Sequence, residues 1–147
     1  MGYLRPEYAM RKLLRDSAAV IAASNTNITV CPVDDVPRDV VMPFITYLRN
    51  NAEPAHYMGG VAASGHWQGN TEFTAYAETK AAADTLADAI RATLDGAEIV
   101  TVTIGGDSVQ FRRLHLMRED DETFNPADGS DSRVHTVTQE YEWSAMT

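Results

Sequence analysis

Four histidines, one cysteine and a run of four acids are the side chains in this sequence with chemistry to offer. Histidines hold a metal when two rings face one ion, and on a helix that takes a spacing of i, i+4. His56, His66, His115 and His135 show no such spacing and read as surface or cross-strand polar residues. The run Glu119-Asp120-Asp121-Glu122, with Asp128 and Asp131 beyond it, invites a calcium reading. A calcium loop wants acids at positions 1, 3 and 5, glycine at 6 and glutamate at 12. Upstream of Asp128-Gly129, Phe124 and Pro126 stand where acids are needed, so the spacing fails. The run reads instead as a solvated loop, or as charged surface that lines a channel or meets a partner. Cys31 precedes a proline and has no basic neighbour in sequence, which suits a buried structural thiol better than a nucleophile. Gly59-Gly60 and Gly105-Gly106 match neither phosphate-binding glycine pattern, and no serine sits in a nucleophile elbow. The expectation is no catalytic residue, no metal and no cofactor.

Composition narrows the class. A chain of 147 residues suits one domain, expected here to span 1–147, and can bury a core without staples. A net charge of −9 argues against general nucleic-acid binding, which needs clustered cations. The charge is uneven: Arg5, Arg11, Lys12 and Arg15 crowd the first fifteen residues against Glu7 alone. A single cysteine allows no internal disulfide, which suits a reducing cytoplasm. No apolar run is long enough to span a bilayer, and none reads as a secretory signal. The basic first helix has no large aromatic anchor, so packing on a core is a better reading than lying on a membrane.

The elements follow from periodicity. Segment 6–22 reads as a helix opened by Pro6, with Met10, Leu13, Leu14, Ser17, Val20 and Ile21 on one stripe. Residues 28–31 read as a short strand, and 40–49 as another with Pro43 at its start. Residues 50–66, rich in glycine and alanine, read as a projecting loop. Residues 71–77 alternate as a strand. Thr79 caps a helix with Ala83, Leu86, Ala87, Ile90 and Leu94 on its apolar face, ended at Gly96. Residues 99–104 and 109–117 make a hairpin through Gly105-Gly106-Asp107. Val109 and Phe111 differ in parity from Leu114 and Leu116, which calls for a β-bulge near Arg112-Arg113. Residues 119–133 read as a long polar loop. Residues 134–143 close the sheet, with Val137, Tyr141 and Trp143 on one face.

This order of elements resembles a known family. The carrying residues are Pro43-Phe44-Ile45-Thr46-Tyr47, Tyr57-Met58-Gly59-Gly60, Phe73-Thr74-Ala75-Tyr76-Ala77, the helix 81–94 with Asp95-Gly96, Arg118-Glu119-Asp120, and Tyr141-Glu142-Trp143. Together they are similar to the tail-completion, or tail-terminator, family of long-tailed bacteriophages. The resemblance spans nearly the whole chain and is weakest over 24–42. It implies an α+β fold, a mostly antiparallel sheet packed by two helices in a single domain that forms a ring oligomer. It implies a structural virion protein of the tail or neck, made in the host cytoplasm and not an enzyme. Such a protein forms a homohexameric ring at the head-proximal end of the tail tube, stops tube polymerisation and joins tail to head. Its partners would be itself, the tail tube protein, a head-side connector or stopper protein, and double-stranded DNA passing without sequence readout. A ring of chains at −9 each would repel phosphate and let DNA slide.

Candidate interface residues on this reading are His56, Tyr57, Met58 and Trp67 in the projecting loop, and Arg11, Lys12 and Arg15 on the basic helix. Glu119, Asp120, Asp121 and Glu122 would face the channel or a basic partner. Two alternatives stand beside it: a head-side connector or stopper, and, from a different class, a small cytoplasmic enzyme or ligand-binding α+β domain.

Overall fold

A computed structural model describes residues 5–24, 28–56, 62–96, 99–124 and 133–146, with backbone alone at 55, 56 and 62–65. Three helices and six strands follow in the order α1 (Pro6–Asp16), α2 (Ala18–Ser24), β1 (Val30–Pro32), β2 (Phe44–His56), β3 (Ala62–Ala77), α3 (Lys80–Leu94), β4 (Val100–Ile104), β5 (Asp107–Phe124) and β6 (Val134–Met146). The strands form one sheet, ordered β1-β2-β3-β6-β5-β4. Only the β1–β2 pair is parallel. The fold is therefore α+β with a mostly antiparallel sheet, as the sequence leads one to expect.

The core lies between the helices and one face of the sheet. Phe73, Tyr141, Trp143, Ile45, Phe111 and Leu114 meet Met10, Leu14, Leu86, Ile90 and Leu94 there. The Phe73 and Tyr141 rings meet edge to face at 6.0 Å. Helix α3 matches its sequence reading. Thr79 accepts a hydrogen bond from the Ala82 amide at 3.1 Å, and Ala83, Leu86, Ala87, Ile90 and Leu94 are all buried. Gly96 leaves the helix at φ +73°, a left-handed conformation that glycine adopts without cost.

Four expectations need correction. The first helix is broken, so three helices pack the sheet rather than two. Ser17 turns to an extended conformation (φ −72°, ψ 123°). Its hydroxyl takes the Val20 amide at 3.4 Å and meets Thr93 Oγ1 of α3 at 2.8 Å. A serine side chain that bonds the backbone competes with helix continuation. Second, residues 50–56 and 62–66 are strand rather than loop, while 57–61 lie outside the described residues. β2 and β3 extend as a hairpin through Asn51↔Asn70, Glu53↔Gln68 and Pro54↔Trp67. Asn51 Oδ1 accepts from the Asn70 amide at 2.9 Å, and Gln68 Nε2 donates to Glu53 at 3.1 Å. Along this extension Asn51, Glu53, Pro54 and Gln68 are exposed and only Ala52, Trp67 and Gly69 turn inward, so no long apolar alternation marked the strands. Pro54 is tolerated because β1 covers β2 only at Ile45–Tyr47, leaving an edge at Pro54.

Third, residues 119–124 continue β5 and pair with β6 through Phe124↔Val134, so the expected loop is strand as far as Phe124, and 125–132 lie outside the described residues. Fourth, β5 carries two register shifts where one was expected. The first lies between Phe111 and Arg113 and brings Leu114 into the core with Val109 and Phe111. Leu116 is only half-buried against it. The second, between Leu116 and Arg118, reverses the parity again.

Gly69 marks a close approach between β3 and its neighbours. A Cβ there would lie 2.3 Å from Asn51 O, 2.8 Å from Trp143 Cζ2 and 3.0 Å from Ala52 Cα. Because two of those atoms are backbone, they cannot swing aside. Gly69→Ala is expected to destabilise the chain by about 1–3 kcal/mol, the usual cost of overpacking. Urea denaturation followed by tryptophan fluorescence measures it, and an unchanged midpoint would show that the hairpin opens freely at this point.

Candidate functional site

The acidic run becomes a strand, and a strand divides its side chains between two faces. After the second register shift, Glu119 and Asp121 turn to the helix face. Glu119 accepts from Gln139 Nε2 at 2.9 Å, and Asp121 meets Lys80 Nζ at 3.0 Å. Lys80 also holds Asp84 at 3.2 Å, and the hydrogen bonds it donates to Asp121 and Asp84 push its pKa up. Arg118, Asp120 and Glu122 turn to the face away from the helices. The four acids thus form no single patch.

Arg118 organises the far face. It lies opposite Glu140, which lies opposite Glu72, so three strands bring these side chains into one row. Its guanidinium reaches Asp120 at 3.0 Å, Glu72 at 3.7 Å and Glu140 at 3.8 Å. One row on, Glu142 meets His115 at 3.2 Å and Arg113 at 3.9 Å. Beyond that, His66 Nε2 and Ser144 Oγ lie 2.8 Å apart. On the helix face, near Lys80 and Asp121, His135 bonds Thr123 at 3.1 Å. The three histidines whose side chains are described are therefore cross-strand polar partners. Among the described residues no three His, Cys, Asp or Glu side chains gather as a metal site. No helix among them is long and apolar enough to cross a membrane.

The basic residues of α1 line a groove of about 1240 Å³ between that helix, the β1 edge and the end of β4. Arg11, Lys12 and Arg15 form its helix wall, with Thr29, Cys31, Tyr47 and Ile104 opposite. Lys12 is paired with Asp16 at 2.5 Å. Arg11 is half-buried, and its Nε has no hydrogen-bond partner; the Tyr47 hydroxyl, on a side chain only 5% exposed, has none either. Burial pushes the Cys31 thiol and the Tyr47 phenol up, with Arg11 opposing in both cases. Cys31 is buried, as expected of a structural thiol. Sequence reasoning missed Tyr47, because only the parallel β1–β2 pairing brings it beside α1.

The hairpin candidates fare unevenly. Trp67 is half-buried and packs against the core, which limits what it can offer a partner. Tyr57 and Met58 lie outside the described residues, and the His56 side chain is likewise not described.

Two outcomes follow from these charges. Arg118→Met leaves Glu72, Asp120 and Glu140 facing one another with no cation between them. With the arginine 61% exposed, solvent screening holds the expected loss to about 1 kcal/mol, recovered in high salt. Denaturation midpoints in low and high salt check this; equal loss in both would assign the effect to packing. The second outcome is alkaline. The pKa of Cys31 rises above its ordinary 9.0, and those of Tyr47 and the buried Tyr141 above 10.0, each chiefly through burial. The folded chain holds these protons more tightly than the unfolded one, so stability is full below the unfolded values and falls as pH rises. A denaturation midpoint that is flat to about pH 8 and declines from about pH 9 is expected, with a shallower decline in Tyr141→Phe. A midpoint that rises with pH over that window would contradict the burial of these groups.

Comparison with known proteins supplies the biological setting. The family described as "Tail completion protein gp17" matches residues 8–143. No curated protein matches. Among solved structures, the fold is similar to a chain described as "Virion of native gene transfer agent (GTA) particle". That chain is 16% identical, with a TM-score of 0.66, over 97% of this chain and 95% of the other. At that identity the likeness is one of fold.

Proposed function

The chain belongs to the tail completion protein gp17 family, a structural part of the phage tail and not an enzyme, and from that premise we propose that it forms a ring ending the tail tube. The ring, a homohexamer of one domain per chain over residues 1–147, sits at the head-proximal end. It is made in the host cytoplasm, halts tube polymerisation and offers the surface that joins the tube to a head-side connector or stopper. Double-stranded DNA passes through its lumen without being read.

The far face of the sheet is the observation that carries the lumen part of this reading. Between its edges it carries the acids Glu72, Glu140 and Glu142, which exceed its cations Arg113 and Arg118. A wall of that kind attracts no condensed run of phosphates, and repeated around a ring it lets a polyanion slide. The pairing of Glu72 and Glu140 with Arg118 moderates the field and fixes its shape. The groove beside α1 is open rather than enclosed, which suits a contact between proteins better than a small-molecule pocket.

Removing this chain from an otherwise complete assembly is expected to give tubes of uncontrolled length that do not join heads. Electron micrographs of tails made without it check this, and adding the purified chain should restore joining. Tubes of normal length that fail only to join would move the chain to the head side as a connector or stopper. Normal joined particles would end the proposal.

A further inference from the structure

Two of the uncovered strand edges of this chain differ in charge. β4 covers β5 only along Asp107–Phe111. The next part of that edge is capped within the chain, the Leu114 carbonyl by the Gly96 amide and the Leu116 amide by Asp95 Oδ1. From Met117 to Phe124, β5 has β6 on one side and, among the described residues, nothing paired on the other, and every one of these residues is exposed. The edge carries the acids together with two exposed apolar side chains, Met117 at 54% and Phe124 at 48%. An open edge of this length is a template for another chain. The Glu122 carboxylate has no partner among the described residues, whereas Glu119 and Asp121 are held by Gln139 and Lys80.

The second edge is β1, at the opposite end of the sheet. The Thr29 carbonyl and the Val33 amide bond β2, so the alternation of a strand turns the Val30 amide and carbonyl outward. Along this edge runs the groove walled by α1. Two donors lining it lack acceptors: the buried Tyr47 hydroxyl and Arg11 Nε. Buried donors left unmet cost free energy, and both of these ask for an oxygen acceptor.

We infer that the acidic β5 edge of one copy docks in the α1–β1 groove of a second copy. Carboxylates of the edge, Glu122 foremost, meet Arg11, Arg15 and the Tyr47 hydroxyl, while Val30 supplies backbone pairing. Acids on an open edge commonly serve to keep like edges apart. Here they do that and also select an edge flanked by the cations of α1. The two surfaces differ, so the contact is heterologous and each copy keeps one free half of it. This deepens the ring reading and rests on it only for closure: the contact itself requires no tail tube.

The test uses two chains in a Cys31→Ser background, one with Thr29→Cys and the other with Glu122→Cys. They are mixed and oxidised in solution, and also co-expressed so that both enter tails. A cross-linked pair is expected from the mixture and from neither chain alone. Tails holding both chains without that cross-link would overturn the docking, as would cross-links of each chain to itself. A charge exchange gives a second reading. Arg11→Glu with Arg15→Glu is expected to cut incorporation into tails by about tenfold, and adding Asp120→Lys and Glu122→Lys to the same chain to restore most of it. A folded four-fold variant that incorporates no better than the double variant overturns the pairing. Cross-links in solution from a chain absent from tail ends would sink the ring reading and leave the docking intact.

Discussion

Gln139 is the point on which the packing of helix against sheet depends. It stands in the central strand β6, 1% exposed, in a face otherwise made of Val137, Tyr141, Trp143 and Ala145. A buried amide must find partners for its donors and its acceptor or the face cannot close. Its Nε2 donates to the Ala87 carbonyl of α3 at 3.0 Å and to Glu119 of β5 at 2.9 Å, and its Oε1 accepts the Tyr141 hydroxyl at 2.8 Å. One side chain thereby ties the helix to two strands in a single register. Trp143 is met in the same way, its Nε1 donating to Thr71 on β3 at 3.0 Å. Because these bonds form only at one offset, they fix the sheet as firmly as the apolar contacts do.

That register has consequences at the surface. Glu119 must face inward to serve Gln139, and β5 reaches that parity only through its second bulge. The same bulge delivers Arg118 to the far face, opposite Glu140. Core satisfaction and surface charge pattern are thus set by one irregularity. A bulge is a local defect in pairing that re-aims every side chain after it. Here it separates acids that adjoin in sequence and gives each pair a different task.

The distribution of open edges is a further result of topology. The short β4 leaves half of β5 uncovered, and the short β1 leaves the other end of the sheet unfinished. Helix α1 packs against both β1 and β4, so its cations lie where the two ends of the sheet come near one another. A chain that is negative overall therefore presents one basic groove and one acidic edge, the arrangement a repeating contact requires.

Local pattern alone determined much of this protein. Helix α3, its Thr79 cap and its Gly96 exit were legible because five apolar residues at helical spacing admit one buried face. The parity change between Phe111 and Leu114 announced the first bulge, since a strand with one buried face cannot change sides without an extra residue. The basic character of α1 and the order of elements were legible too, and with them the family. Tertiary structure decided the rest. Ser17 breaks the first helix because Thr93 lies beside it, a contact 76 residues away in sequence. Residues 50–56 and 119–124 are strands because neighbouring strands supply their hydrogen bonds, and the scarcity of buried apolar side chains along them removes the alternation that would have shown it. Tyr47 joins Arg11 in the groove only through the parallel β1–β2 pairing. Sequence periodicity records burial; it carries no trace of a strand held by its backbone or of a site assembled from distant residues.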